Sequence, residues 1–152
     1  MKSKLNPTIL RQLRRKVDLD EYKAIRQLWI DHSAAEDSRD IPGLMATLTE
    51  DCVYTVVNGG ASWHRKEGAT QFYQQLLGAF PDIHFDLQHI VIGPQGVSEE
   101  AHVTATYRSQ WLNMPPPNGE SITFDVLILF PWDPEQRLFT GERVYFFNIG
   151  LR

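Results

Sequence analysis

One cysteine, Cys52, stands in a chain of 152 residues. Without a second thiol no intrachain disulfide can form, and the matching environment is a reducing compartment. Long apolar runs are missing as well; none approaches the ~20 residues of a membrane-spanning helix. Residues 1–17 are basic but lack the apolar stretch of a secretion signal. These absences predict a cytoplasmic protein with no membrane partner. An excess of positive charge is also absent: 15 Lys and Arg face 19 Asp and Glu, for a net charge of −4. Phosphate backbones attract the opposite sign, so no nucleic-acid partner is expected. No glycine-rich phosphate loop, serine nucleophile elbow or cysteine metal cluster occurs.

Apolar material is plentiful. Hydrophobic residues make up 42% of the chain and aromatic ones 11%, including four Trp and eight Phe. That is enough for one domain with a real core, and such side chains also line apolar ligand pockets. Asn6 and Pro7 open a short basic segment with Ile9, Leu10 and Leu13 on one stripe. We read residues 1–17 as an arm or short helix that packs on its own subunit or a neighbour. Residues 18–152 form the domain proper.

The domain starts with a well-marked helix. Asp18 is its cap, Glu21 completes a capping box, and Val17 and Tyr22 are placed to staple across it. The stripe Tyr22, Ile25, Trp29, His32, Glu36 follows with helical spacing. A short helix over 41–48, capped by Asp40, and a strand over 53–57 come next. Asn58-Gly59-Gly60 turns the chain. A third long helix over 66–80 carries Phe72, Leu76 and Phe80 on one face and stops at Pro81. Strands are then expected over 83–92, 97–112, 121–130 and 138–148, joined by turns and one Pro-rich loop over 113–120. Helices first and a meander afterwards is the α+β pattern with an antiparallel sheet. The strand over 97–112 exceeds the usual length, so a bulge is expected to bend it.

Several ionisable residues fall where acid–base chemistry needs them. Glu142 sits within an apolar, aromatic strand and is either a buried acid or an outer-face partner of Arg143. Tyr107 shares an inward alternation with Val103 and Ala105, as a hydroxyl donor or a plain core aromatic. His102 has the opposite parity and faces outward unless a bulge flips it. His32 and Glu36 continue the helix stripe one turn apart, as a proton-transfer pair or as polar residues closing a helix end. Their spacing also suits a metal, but no third ligand stands nearby in the sequence, and no metal site is expected. Asp86 and His89 read as a solvated strand face, and Cys52 as a small buried hydrophobe.

A set of short motifs carries a family likeness. His32, Ala35-Glu36-Asp37, Asp40 and Asp51-Cys52-Val53-Tyr54 open it. Trp63, Gly68, Phe72-Tyr73 and Ala79-Phe80-Pro81-Asp82 continue it. Ala105-Thr106-Tyr107, Met114-Pro115-Pro116, Gly119 and Gly141-Glu142-Arg143-Val144-Tyr145 complete it. Their order and spacing, from about Trp29 to Phe147, resemble the SnoaL-like polyketide cyclases (ester cyclases) of the nuclear-transport-factor-like superfamily. The resemblance implies a cone-shaped, cystatin-like fold, with three helices on the concave face of a curved sheet, usually dimeric. It implies a cyclase, isomerase or dehydratase that works without cofactor on an apolar polycyclic or aromatic carbonyl compound. Glu142, Tyr107, His32 and His102 are the catalytic candidates. Trp29, Glu36, Tyr54, Trp63, His64, Trp111 and Tyr145 are the expected pocket residues. Two departures stand out: Tyr107 replaces a frequent His, and Phe147 replaces a common Asp. They leave a second reading open, a binding protein that kept the pocket for an apolar small molecule. Ile122, Phe124, Val126, Ile128 and Phe130 make one apolar face of their strand, and Leu127 and Leu129 the other. A strand apolar on both sides is usually covered on both, which predicts a homodimer through the outer sheet face.

Overall fold

The computed structural model describes residues 5–151, with the backbone alone at Leu151. Asn6 accepts from the Thr8 N–H and opens α1 (Pro7–Leu13), which buries none of its residues. Asp18 accepts from the Glu21 N–H at 2.8 Å and starts α2 (Leu19–Asp37), whose buried residues are Ile25, His32 and Ala35. The capping box does not close. Instead the Glu21 carboxylate accepts from the Trp132 indole N–H at 2.7 Å and pairs with Arg15. Nor does the staple form, since Val17 remains 81% exposed. A buried indole N–H needs an acceptor more than a solvated helix end does.

Asp40 caps α3 (Ile41–Ala46). Strand β1 (Leu48–Val56) and a four-residue β2 (Ala61–His64) flank a 3-10 turn over Val57–Gly59. Helix α4 (Arg65–Ala79) buries Ala69, Phe72, Tyr73, Leu76 and Ala79 along one face. Four strands follow: β3 (His84–Gly93), β4 (Gly96–Thr106), β5 (Ser121–Asp133) and β6 (Leu138–Leu151).

The sheet has six strands in the order β2-β1-β6-β5-β4-β3. The meander β3 to β6 is antiparallel as expected, and β1 and β2 are antiparallel as well. One seam departs: β1 runs parallel to β6. Alternation along a strand says which face is buried but not which distant strand lies beside it. One strand was not foreseen and one expectation changes. Strand β2 is too short to show a period. Strand β4 ends at Thr106 and keeps an unbroken register with β5, so the expected bulge is not there; the chain leaves the sheet at Tyr107.

The decisive bulge lies in β6. Leu129 pairs with Arg143 and Trp132 with Phe139, so four steps on β6 match three on β5. The extra residue flips the parity, and both Phe139 and Glu142 become buried. Gly141 makes this possible. Its φ is 123°, and a Cβ there would lie 1.9 Å from the Val53 carbonyl oxygen. Only glycine fits such a φ beside a neighbouring backbone.

Among the described residues, no helix is long and apolar enough to cross a membrane. Gly141→Ala is expected to cost about 3–5 kcal/mol or prevent folding, through strain and a backbone clash together. Gly78→Ala is the contrast. Gly78 is exposed near the end of α4, with nothing closer than 3.9 Å to its would-be Cβ. It should stabilise by about 0.5–1 kcal/mol. Urea unfolding of the two variants beside the parent measures both effects.

Candidate active site

Four elements deliver polar side chains to one point in the core. Helix α2 brings His32, β1 brings Tyr54, α4 brings Tyr73 and β6 brings Glu142; they are 1%, 0%, 1% and 3% exposed. Glu142 Oε1 lies 2.9 Å from His32 Nε2, 2.9 Å from the Tyr73 hydroxyl and 3.1 Å from the Tyr54 hydroxyl. The two tyrosine oxygens are 2.9 Å apart. Glu142 Oε2 has no hydrogen-bond partner among the described residues.

Thr47 orients the histidine. Its hydroxyl donates to the Leu44 carbonyl at 2.7 Å, so its oxygen is left to accept from His32 Nδ1–H, also at 2.7 Å. Nδ1 therefore carries a proton, and Nε2 faces the Glu142 carboxyl. A lone pair cannot rest 2.9 Å from a carboxylate oxygen without something positive between them. The pair holds a shared proton, written either as imidazolium with carboxylate or as imidazole with carboxylic acid.

Glu36, half-buried at the end of α2, approaches the same place. Burial pushes its carboxyl well above the usual range, and Glu142, Glu99 and Asp37 add to the rise against Arg39. Burial, followed by the charge of Glu142, likewise raises the Tyr54 and Tyr73 hydroxyls. Glu36 and Glu142 both line a small apolar cavity walled by Phe72, Leu76, Phe124 and Val144, with about 20 Å³ for the centre of a water-sized body. That is room for roughly one water. On the other side of Glu36, a cleft of about 160 Å³ is lined by Trp29, Asp37 and Glu99. Glu99 accepts from the Trp29 indole N–H at 2.7 Å, and burial lifts its pKa to about 7.

Of the expected residues, the structure thus gathers Glu142, His32, Tyr54 and Glu36, with Trp29 beside them. It leaves others apart. His102 is on the outer face, where its Nδ1 lies 2.7 Å from Asp125; with no bulge in β4, its parity holds. Tyr107 is buried, but it stacks on Phe80, and its hydroxyl accepts from the Trp111 N–H. It makes no hydrogen bond with His32 or Glu142. Tyr145 pairs with Leu127 on the outer face of the sheet, since its parity is opposite to that of Glu142. His64 is exposed at the start of α4. Trp63 and Trp111 stack on each other at 6.2 Å, and Trp111 lines a separate apolar cleft of about 290 Å³ with Phe146.

Three residues of this region escaped the sequence reading. Tyr73 follows Phe72 on a helix whose apolar face is wide enough to include it. Glu99 shares the parity of Val97 and Ala101, so the alternation alone marks it as inward. Thr47 carried no signal, because its role depends on a partner fifteen residues away. The metal reading also changes: Glu142 supplies the missing third group, and one ligand atom each from His32, Glu36 and Glu142 lies within 4.8 Å of the others.

Residues 29–135 match the SnoaL-like domain. The chain belongs to the SnoaL-like family. No curated protein matches the sequence. Solved structures match over most of their length. A proposed SnoaL-like polyketide cyclase from Shewanella denitrificans has a TM-score of 0.69 at 14% identity, covering 80% of this chain and 89% of that one. A proposed polyketide cyclase from Xanthomonas campestris pv. campestris has 0.65 at 19%, covering 82% and 91%. AclR from Streptomyces galilaeus, a proposed hydroxylase, has 0.64 at 16%, covering 85% and 90%. At these identities the shared property is the fold, which is that of NTF2-like proteins. Within this SnoaL-like frame the site must be argued from its own residues.

Glu99 offers a test of the electrostatics. Its folded pKa of about 7 lies above its ordinary value of 4.5. Below pH 4.5 the group is protonated folded or unfolded and costs nothing. As pH rises through the interval the folded state loses stability, on the order of 2–3 kcal/mol once above pH 7. Glu99→Gln keeps an acceptor for Trp29 and removes the charge. It is expected to match the parent near pH 4 and to be more stable near pH 8. Thermal denaturation at both pH values checks this.

Proposed function

We propose that this SnoaL-like chain is an acid–base enzyme of cyclase, isomerase or dehydratase type, acting on an apolar carbonyl compound with its own side chains. The observation that carries the reading is the pair of carboxyls on one apolar cavity. Glu142 is held through Oε1 by His32, Tyr54 and Tyr73, leaves Oε2 without a partner among the described residues, and shares the cavity with Glu36. Glu36 has its pKa raised by burial and by neighbouring acids. Two carboxyls in contrasting environments are how one site supplies both an acid and a base near neutral pH. Glu142 Oε2 takes a proton from carbon next to the carbonyl, and His32 and the tyrosines spread the proton it gains. Protonated Glu36 delivers a proton to the carbonyl oxygen, so charge does not build up there. The enol so formed closes a ring, shifts a double bond or expels water.

One observation favours the alternative, a small-molecule binding protein. The cavity admits about one water, so a polycyclic ligand enters only if the walls move apart. Glu142→Gln and Glu36→Gln are each expected to lower turnover by about 10²–10⁴-fold. Because Glu36 acts protonated, the parent's rate should fall as pH rises through its raised pKa. Glu36→Gln should lack that limb. Substrate screening with pH–rate profiles reads this; tight binding of an apolar carbonyl compound with no product at any pH decides for the binding protein.

We also infer a homodimer through the outer sheet face, where Leu127, Leu129, Tyr145 and Phe147 lie across adjacent strands and Val91 and Phe147 are 67% and 46% exposed. Sedimentation is expected to give a dimer at micromolar concentration. Phe147→Asp, which places a charge on that face, should shift it to monomer.

A further inference from the structure

The gap between His32 and the two glutamates has the features of a cation site. His32 Nε2, a Glu36 oxygen and a Glu142 oxygen lie within 4.8 Å of one another. One imidazole and two carboxylates suit small divalent transition cations such as Zn²⁺, Mn²⁺ and Co²⁺, and three protein ligands leave a position open. The supports of a metal-bound histidine are in place. Its other nitrogen is committed to Thr47, which is anchored on the Leu44 carbonyl, so Nε2 is the atom turned to the ligand. The Glu142 carboxyl is steadied by two tyrosine hydroxyls.

Two further observations point to a cation rather than to a purely structural cluster. The Glu142 side chain is 4% exposed, and its Oε2, with no partner among the described residues, is left to the small cavity that Glu142 shares with Glu36. A carboxylate oxygen cut off from bulk water is costly to leave unmatched. The approach is also charged in the right sense. Among the described residues, the cleft beside Glu36 is lined by Asp37 and Glu99 and by no basic side chain; such a mouth concentrates cations.

We propose that His32, Glu36 and Glu142 bind one divalent transition-metal cation, which takes the place of the proton shared by His32 and Glu142. Binding releases that proton, because the same Nε2 and carboxylate oxygen serve both, and it also releases the proton that Glu36 carries, because Glu36 ligates as a carboxylate. The site coincides with that of the acid–base reading. It leads to one consequence for that reading: a bound cation blocks the proton transfer and inhibits turnover. The cation titration itself needs no substrate, so it stands or falls separately.

The test is calorimetric titration of the full chain with Zn²⁺ and with Co²⁺, in two buffers of different ionisation enthalpy, together with the visible spectrum of the Co²⁺ form. Expected are one ion per chain, heat that differs between buffers because protons are released, and a Co²⁺ spectrum of nitrogen and oxygen ligation. Glu36 makes no side-chain hydrogen bond among the described residues, so Glu36→Gln should fold normally and weaken binding at least about tenfold. His102→Asn, which removes the exposed His102–Asp125 pair, should bind as the parent does. Unchanged affinity in Glu36→Gln, loss of binding in His102→Asn, or no uptake at millimolar metal would each overturn the proposal.

Discussion

A carboxylate moved from water into an aromatic core costs several kcal/mol unless donors replace its solvent. Glu142 is in that position, and much of the molecule is arranged around it. The histidine of α2, a tyrosine of β1 and a tyrosine of α4 meet on one of its oxygens. His32 and Tyr73 come from the two long helices and Tyr54 from the strand beside β6, so the contact ties both long helices to the β1–β6 seam. Removing any donor leaves a buried charge underpaired, and this couples the stability of the core to the chemistry of the site.

The position of Glu142 depends in turn on its neighbour. Gly141 takes the extra residue of the bulge at a φ of 123° against the Val53 backbone. Upstream of it Phe139 faces inward; downstream Glu142 does. Without the bulge the alternation that buries Phe139 would carry Glu142 to the outer face beside Leu127 and Leu129. The reading of Glu142 as an outer-face partner of Arg143 was a fair reading of the strand alone, and one backbone irregularity decides against it.

Glu36 and Glu99 extend the same electrostatic problem toward the surface. Both carboxyls are raised by burial, and both feel the charge of Glu142. The inner cavity and the acidic cleft are joined through Glu36, which is the one carboxyl of the group with contact to both.

Local order was legible in the residues themselves. Asp18, Asp40 and Pro81 marked helix ends, because capping and the loss of an N–H act within a few residues. The alternation of Ile122 to Phe130 showed the buried face of β5, and the stripe of α2 placed His32 and Glu36 on the side toward the core. Those short-range rules extend to Glu99, whose parity was plain. The sequence by itself thus determined the helices, the meander and the inward set of most strands. Only the tertiary structure decided that β1 lies parallel to β6, that Gly141 reverses parity, and that Tyr73 and Thr47 join His32 and Glu142. Those facts rest on contacts between residues up to 110 positions apart, where backbone closure and packing, rather than any local preference, select the partner.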